Sequence, residues 1–159
     1  MVKAEFINPI LESTINVIET MASTKVVMGK ASLKKGIRVW GLVNGIIGMA
    51  SQDLAGNLIL SFDKESILGI VSSMLGEKMT DITPDVVDAV GELTNMICGG
   101  AKAILGKIGY KFDMATPVML VGQELELCQF SKAPVITAPF TVEYGKFVVE
   151  TNLYSKNAK

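Results

Sequence analysis

The residues with the clearest chemical potential lie in one segment, Asp85 to Lys102, which reads DVVDAVGELTNMICGGAK. A helix repeats every 3.6 residues, so side chains that recur at steps of three or four share one ridge. The residues on that ridge are Asp88, Glu92, Asn95, Gly99 and Lys102. Glu92 and Asn95 stand three positions apart, so a carboxylate that accepts hydrogen bonds and a carboxamide that both donates and accepts would face a common partner.

Glycines surround this ridge. Gly91, Gly99 and Gly100 each cost about 1 kcal/mol in a helix interior relative to alanine. A helix that keeps three of them beside its polar ridge indicates close approach of another molecule to bare backbone. Two other interpretations stay open, because a polar stripe is also typical of a solvated helix face and glycines also mark close packing between helices.

The composition excludes several classes of enzyme. The chain of 159 residues has no histidine, which removes Ser-His-Asp and Cys-His catalysis, His-ligated zinc and His-ligated haem. A formal charge of −1 and a pI of about 5.5 provide no large positive field for nucleic acid or anionic lipid. We therefore predict neither nucleic-acid binding nor a metal site.

The cysteines and the first residues indicate a reduced cytoplasmic protein. Cys98 and Cys128 form no CxxC pair, and we expect Cys98 to be a buried, inert thiol. Glu5, Asn8 and Glu12 interrupt the first apolar run, which is untypical of a secretory leader. The most apolar stretch, residues 39–50, is too short to span a bilayer, so we predict no membrane insertion.

The first half of the chain predicts one helix and three strands. Asn8 and Pro9 are typical of a helix start, and the apolar spacing predicts an end near Met21. Three strands in a meander are then expected, at residues 25–28, 36–49 and 56–62. Asp63 can cap a short linker helix over residues 64–75, which Gly76 would end.

The second half repeats this order. Thr83, Pro84 and Asp85 are typical of a helix start, and Gly106 with Gly109 supplies its end. The predicted apolar stripe of this long helix comprises Val86, Val90, Leu93, Ile97, Ile104 and Ile108. The segments that read as strands are 111–121, 124–130, 134–142 and 146–153, with residues 143–146 as a hairpin turn.

These elements predict an α+β fold with two long helices and a short linker helix packed on a largely antiparallel sheet. The repeated order of one helix and three strands suggests that the two halves are a pseudo-duplication. We expect a single domain over residues 1–155 and a frayed tail over 156–159.

The long-helix segment resembles the signature of the CheX, CheC and FliY family of chemotaxis phosphatases. In that family an acidic or serine residue is followed by Glu-x-x-Asn on a long exposed helix, which Asp88, Glu92 and Asn95 match in order and spacing. The family also has a proline about two dozen residues after the asparagine, where Pro117 stands. The order of predicted elements extends the likeness over most of the chain.

The first helix lacks a second copy of the motif. Glu12 is followed by Ile15 where a second asparagine would stand, and Asn16 comes one position late. The resemblance is therefore to CheX-like members with one site per chain.

The resemblance implies a substrate, a site and an assembly. The substrate would be the aspartyl phosphate of a CheY-like receiver domain, which brings its own Mg²⁺, so the chain would need no cofactor of its own. Asn95 would orient the attacking water and Glu92 would pair with a receiver lysine. Asp88 and Lys102 would belong to the partner-binding surface, and Gly91 and Gly99 would let the helix sit close to the partner.

A homodimer joined at sheet edges is also implied, and an edge left open by the last hairpin would suit it. The alternative function is a non-catalytic interaction module of the flagellar-switch type, which keeps the fold and binds partners without releasing phosphate.

Overall fold

The computed structural model describes residues 3–129 and 131–157. Its helices are α1 (Ala4–Ala22), α2 (Lys64–Leu75) and α3 (Pro84–Lys107). The strands of the described residues are β1 (Val27–Met28), β2 (Ser32–Leu33), β3 (Val43–Ala50), β4 (Leu54–Phe62), β5 (Asp113–Met114), β6 (Val118–Val121), β7 (Ile136–Val142), β8 (Gly145–Thr151) and β9 (Tyr154–Ser155).

These strands form one antiparallel sheet built from two hairpins. β3 pairs with β4, β7 pairs with β8, and the hairpins join where β4 pairs with β8. β1 and β2 both pair with β7, whereas β5 and β6 both pair with β3 and β9 extends β4. The short strands β1 and β2 therefore form one end of the sheet and β5 and β6 the other, while the short β9 lies beside β4 in the middle with the long hairpins.

The three helices pack on one face of this sheet, which confirms the predicted α+β class. The hydrophobic core lies between them and includes fully buried side chains from helices and strands, among them Phe6, Ile18, Val90, Leu60 and Phe147. Burying such side chains contributes about 1.5–3 kcal/mol each. The helices are thus held rigidly against the sheet, and their outer surfaces are left for other contacts.

Local capping residues mark both ends of α2 and the start of α3. Asp63 accepts a hydrogen bond from the Ser66 amide at 2.8 Å, and Gly76 ends α2 in the left-handed conformation with φ +66°. Thr83 accepts from the Val86 amide at 3.4 Å at the start of α3. These caps confirm the predicted bounds of α2 and the predicted start of α3.

The predicted start of α1 is wrong by five residues. The helix begins at Ala4 and runs through Pro9, because Phe6 is fully buried and its packing extends the helix beyond the local start signal. The predicted end holds, since the helix stops at Ala22 and Ser23 adopts the left-handed conformation. The predicted apolar stripe of α3 is wrong at its last residue. Ile108 is 56% exposed, and Leu105 is the buried residue at that end of the helix.

The predicted meander of the first half is confirmed between its second and third strands, since β3 pairs antiparallel with β4, but the predicted place of its first strand is wrong. Residues 27–28 do not pair with β3; they pair with β7, more than 100 residues later in the chain. Residues 37–39 also leave the predicted second strand, because the amide of Val39 donates to Leu125 and the amide of Leu127 donates to Ile37. Pairing with distant segments thus replaces the local pairing expected for the first strand and for the start of the second, and the hairpin of β3 and β4 remains.

The last part of the chain also differs from the sequence prediction. The segment 111–121 divides into β5 and β6, and Pro117, which has no amide hydrogen, stands directly before β6. Segment 124–130 forms only an isolated bridge between Arg38 and Glu126 in its described part, and Phe130 lies outside the described residues. The predicted hairpin at residues 143–146 is confirmed, with a shorter turn of residues 143–144, because Gly145 and Lys146 already belong to β8.

The last hairpin is not an open edge, contrary to the expectation. β8 pairs with β4 on one side, and the outer side of β7 is occupied by β1 and β2. The pseudo-duplication of the halves stays a prediction, as does the 1–155 domain boundary. Lys156 donates from its backbone amide to Asp53, and residues 158–159 of the predicted tail lie outside the described residues.

In residues 3–129 and 131–157, no helix is both long and apolar enough to cross a membrane.

Candidate functional site

Helix α3 is held against the sheet by its inner face. Thr94 is fully buried, donates a 2.7 Å hydrogen bond to the carbonyl oxygen of Val90, and lies directly over Gly45 of β3. A Cβ at Gly45 would collide with the Thr94 hydroxyl, so this glycine lets helix and strand approach closely. The opposite face of α3 is thereby turned away from the sheet.

That outer face carries the polar ridge. Asp88 and Glu92 are exposed, while Asn95, Gly99 and Lys102 are half-buried. Among the described residues, the side chains of Glu92 and Asn95 have no hydrogen-bond or ion-pair partner. The structure therefore brings this carboxylate and this carboxamide together on one open surface, with their polar atoms available to another molecule.

The glycines of α3 differ in what they face. A Cβ at Gly91 would lie 2.9 Å from the Met119 sulfur of β6, and one at Gly100 would collide with Ser13 of α1. Gly91 is buried, so its lack of a side chain serves packing within the chain and the prediction that it faces a partner is wrong. At Gly99 an added Cβ meets no atom within 4 Å, so packing within the described chain does not account for this glycine.

The ridge ends at a cavity of about 440 Å³. Lys102 lines it together with Ser51, Tyr110, Lys111 and Asp113. Lys102 lies about one turn beyond Gly99. The ridge therefore begins with the acidic side chains of Asp88 and Glu92 and ends with a basic one. Any partner that lies along α3 would meet both signs of charge.

Cys98 lies behind the ridge and is fully buried, as predicted. Burial raises the pKa of its thiol to about 11, and the positive charge of Lys102 offsets part of that rise. The thiol therefore stays protonated near neutral pH, which makes it a poor nucleophile.

The ridge offers recognition and positioning chemistry. Carboxylates pair with cations, and a carboxamide can hold a water molecule by accepting and donating hydrogen bonds. Within the described part of the chain, no group of three or more acidic or cysteine side chains is arranged to hold a metal ion.

Comparison with known proteins places this arrangement in a family. The profile of the family "Chemotaxis phosphatase CheX" matches residues 43–141, more than half of the chain. The chain belongs to the CheX family. The match includes the whole of the ridge on α3 and Pro117, so the resemblance seen in the motif is confirmed at the level of the family.

A solved structure supports the membership over nearly the whole chain. A CheC-like superfamily protein from Shewanella sp. PV-4 is 42% identical, with a TM-score of 0.90, and the alignment covers 96% of this chain and 99% of that one. This neighbour also confirms the α+β class of the CheX-family chain.

Two further relatives carry functional names. The CheY-P phosphatase CheX of Thermotoga maritima is 27% identical over 128 residues, which is 80% of this chain and 82% of that protein. The CheX of a complex with CheY, BeF3 and Mg²⁺ from Borrelia burgdorferi is 25% identical, with a TM-score of 0.77 over 96% of this chain and 98% of that one.

Sequence reasoning missed two features of the site. Met119 covers Gly91 from β6, and no local pattern connects these residues, which lie far apart in the chain. The cavity beside Lys102 was also missed, because it forms where the end of α3 meets residues 110–113 and Ser51. Pro117 could be found from the motif, and it stands next to the strand that carries Met119.

Proposed function

We propose that this CheX-family chain hydrolyses the aspartyl phosphate of a CheY-like receiver domain. The observation that carries the proposal is the pair Glu92 and Asn95, side by side on the open ridge of α3 at the family spacing. The named activity of the Thermotoga maritima relative and the CheX complex with CheY support the choice of substrate.

The substrate is an acyl phosphate that lies in the receiver's own active site beside its Mg²⁺. The receiver thus supplies the electrophile and the neutralisation of charge, and the chain needs only to hold a water molecule in line with the phosphorus. The side-chain oxygen of Asn95 accepts a hydrogen bond from that water, while its NH₂ group donates nearby. Asn95 is therefore the proposed catalytic residue.

Glu92 docks the receiver. Its exposed carboxylate pairs with a lysine near the phosphoryl group, which fixes the register of the two proteins more than it lowers the reaction barrier. Asp88, Gly99 and Lys102 extend the docking surface along the ridge on either side. No step requires this chain to take up or release a proton, which agrees with a site that lacks histidine.

The test is phosphate release from a phosphorylated CheY-like receiver. Asn95→Ala is expected to lower the rate by about 10², which corresponds to about 3 kcal/mol of transition-state stabilisation. Asn16→Ala is the control, because Asn16 is also a helical asparagine with an accessible side chain but lies on α1, away from the ridge. Circular dichroism and the Tm should match the wild type in both variants. Equal rates for Asn95→Ala and the wild type would end the catalytic assignment.

The same assay separates the phosphatase from a non-catalytic module. A module of the flagellar-switch type would bind the receiver and release no phosphate above the receiver's own rate. If the wild type binds the receiver and releases no phosphate, the phosphatase proposal is refuted and the chain is an interaction module.

We further propose a homodimer with two independent sites. The edge of the sheet formed by β1 suits this role, because Val27 and Met28 are 54% and 44% exposed there. The opposite end of the sheet is less suitable, because β6 there carries Met119, which packs against Gly91 beside the ridge. Light scattering should give twice the 17.0 kDa of one chain, and a monomer across the micromolar range would refute the dimer.

A further inference from the structure

A second cavity lies on the face of the sheet opposite the helices. Successive side chains of a strand point to opposite faces. Val149 of β8 belongs to the core beneath the helices, so its neighbour Glu150 points to the other face. There Glu150 lines a cavity of about 600 Å³, which we call the second-face cavity. Small-molecule sites span about 300–1,000 Å³.

The floor of the second-face cavity is a buried ion pair. Glu150 is 3% exposed, and the Nζ atom of Lys34 donates to its Oε1 atom at 2.7 Å. Removing a lone carboxylate from water costs several kcal/mol, so the nearby ammonium is needed to neutralise it. The positive charge of Lys34 is thereby neutralised by Glu150, and the floor of the cavity carries no net formal charge.

The wall of the cavity is apolar and open. Trp40 and Leu33 line it, and they are 45% and 61% exposed. An indole that is left half-exposed beside a cavity offers a flat surface on which another ring can stack. Trp40 thus provides the second-face cavity with a recognition element for an aromatic group.

The rim is positively charged. Lys35 and Arg38 line the cavity in addition to the Lys34–Glu150 pair, which leaves a formal excess of two positive charges. Arg38 faces Glu124 at 3.8 Å, but both side chains are mostly exposed, so the pair is weak and the guanidinium keeps donors free. A guanidinium with free donors beside a lysine is suited to an anionic group.

We infer that the second-face cavity binds a small organic anion that carries a flat aromatic ring. The ring stacks on Trp40, and the anionic group pairs with Arg38 and Lys35. This site lies across the sheet from α3, so it is separate from the ridge that carries Glu92 and Asn95. Its occupancy does not depend on the proposed phosphatase function.

The tryptophan itself provides the measurement. The chain contains one tryptophan, so its intrinsic fluorescence reports directly on the second-face cavity. The probe is AMP, which combines a purine ring with a phosphate, and it should quench the fluorescence of Trp40 saturably. Adenosine supplies the ring alone and inorganic phosphate the anion alone. Each should need at least a tenfold higher concentration than AMP for half-saturation.

Variants assign the two contacts. Arg38→Gln should weaken AMP binding at least tenfold, whereas Lys107→Gln, at the exposed end of α3, should leave it unchanged. Trp40→Leu should lose the rise in Tm that AMP gives the wild type, since a ligand stabilises the folded state that binds it.

Three results would overturn the inference. They are the absence of saturable quenching by millimolar AMP, inorganic phosphate that binds as tightly as AMP, and an Arg38→Gln variant with unchanged affinity. Circular dichroism of each variant excludes unfolding as the cause of any loss. The Asn95→Ala variant should bind AMP as the wild type does, which keeps this test apart from the test of the phosphatase.

Discussion

The hydroxyl group of Ser13 on α1 donates a 2.7 Å hydrogen bond to the backbone carbonyl oxygen of Ile97 on α3. Both residues are buried, and Gly100 leaves the space that the serine occupies. This contact holds the two long helices together directly behind Asn95 and Gly99. The ridge is therefore carried by a helix that is fixed from within, which is what the positioning of a single water molecule requires.

Gly99→Ala should make the protein more stable and less active. Alanine is favoured over glycine in a helix by about 1 kcal/mol, and nothing in the described chain obstructs the added methyl group. The methyl group would hold the receiver away from the ridge, so we expect dephosphorylation to fall about tenfold, which corresponds to about 1.4 kcal/mol. Urea unfolding and phosphate release measure the two effects.

Two other glycines of α3 provide the controls for this experiment. Gly106 is equally open but lies about 10 Å further along the helix, so Gly106→Ala should gain stability and keep the rate. Gly100→Ala should lose about 1–3 kcal/mol of stability, because its methyl group collides with Ser13. A Gly99→Ala variant with the full wild-type rate would show that the receiver does not approach α3 closely at this position.

Glu92→Lys should weaken receiver binding more than it changes the rate at saturation. The substitution reverses the charge of an exposed side chain, so the receiver lysine would be repelled instead of paired. The fold should be unaffected. Steady-state kinetics should show a raised KM with kcat changed little, and a loss confined to kcat would reassign Glu92 to the chemical step.

Of the two cysteines, only Cys128 should react with a thiol reagent at pH 8 in the folded protein. Cys128 is exposed, whereas Cys98 is buried and its pKa is raised to about 11. Counting modified thiols before and after addition of denaturant should give one and then two. Rapid modification of both thiols in the folded state would mean that α3 opens readily.

The raised pKa of Cys98 also predicts a pH dependence of stability. In the unfolded chain the thiol has its ordinary pKa of 9.0, whereas in the folded state its pKa is about 11. Between these two pH values the folded state keeps the thiol proton and the unfolded chain releases it. This contribution is complete below pH 9 and is lost as the pH rises towards 11. Cys98→Ala should therefore flatten the fall in the free energy of unfolding over that range, as urea titrations at several pH values would show.

The sequence alone determined the features that depend on neighbours along the chain. The caps at Asp63, Gly76 and Thr83, the helical ridge, and the pairing of β7 with β8 through a two-residue turn all rest on contacts within a few positions. The motif with Glu92 and Asn95 belongs to this class, because a 3.6-residue period fixes which side chains of one helix share a face. Local geometry was sufficient for each of these predictions.

The tertiary structure decided which distant segments meet. β1 and β2 pair with β7, and residues 37–39 pair with 125–127, because strand pairing is selected by the packing of the whole sheet and leaves no periodic signal in a single segment. For the same reason Gly91, Gly99 and Gly100 are alike in the sequence. In the structure Met119 packs against Gly91 and Ser13 against Gly100, so these two glycines serve packing. The space at Gly99 is open, and this glycine faces the partner in the proposed complex.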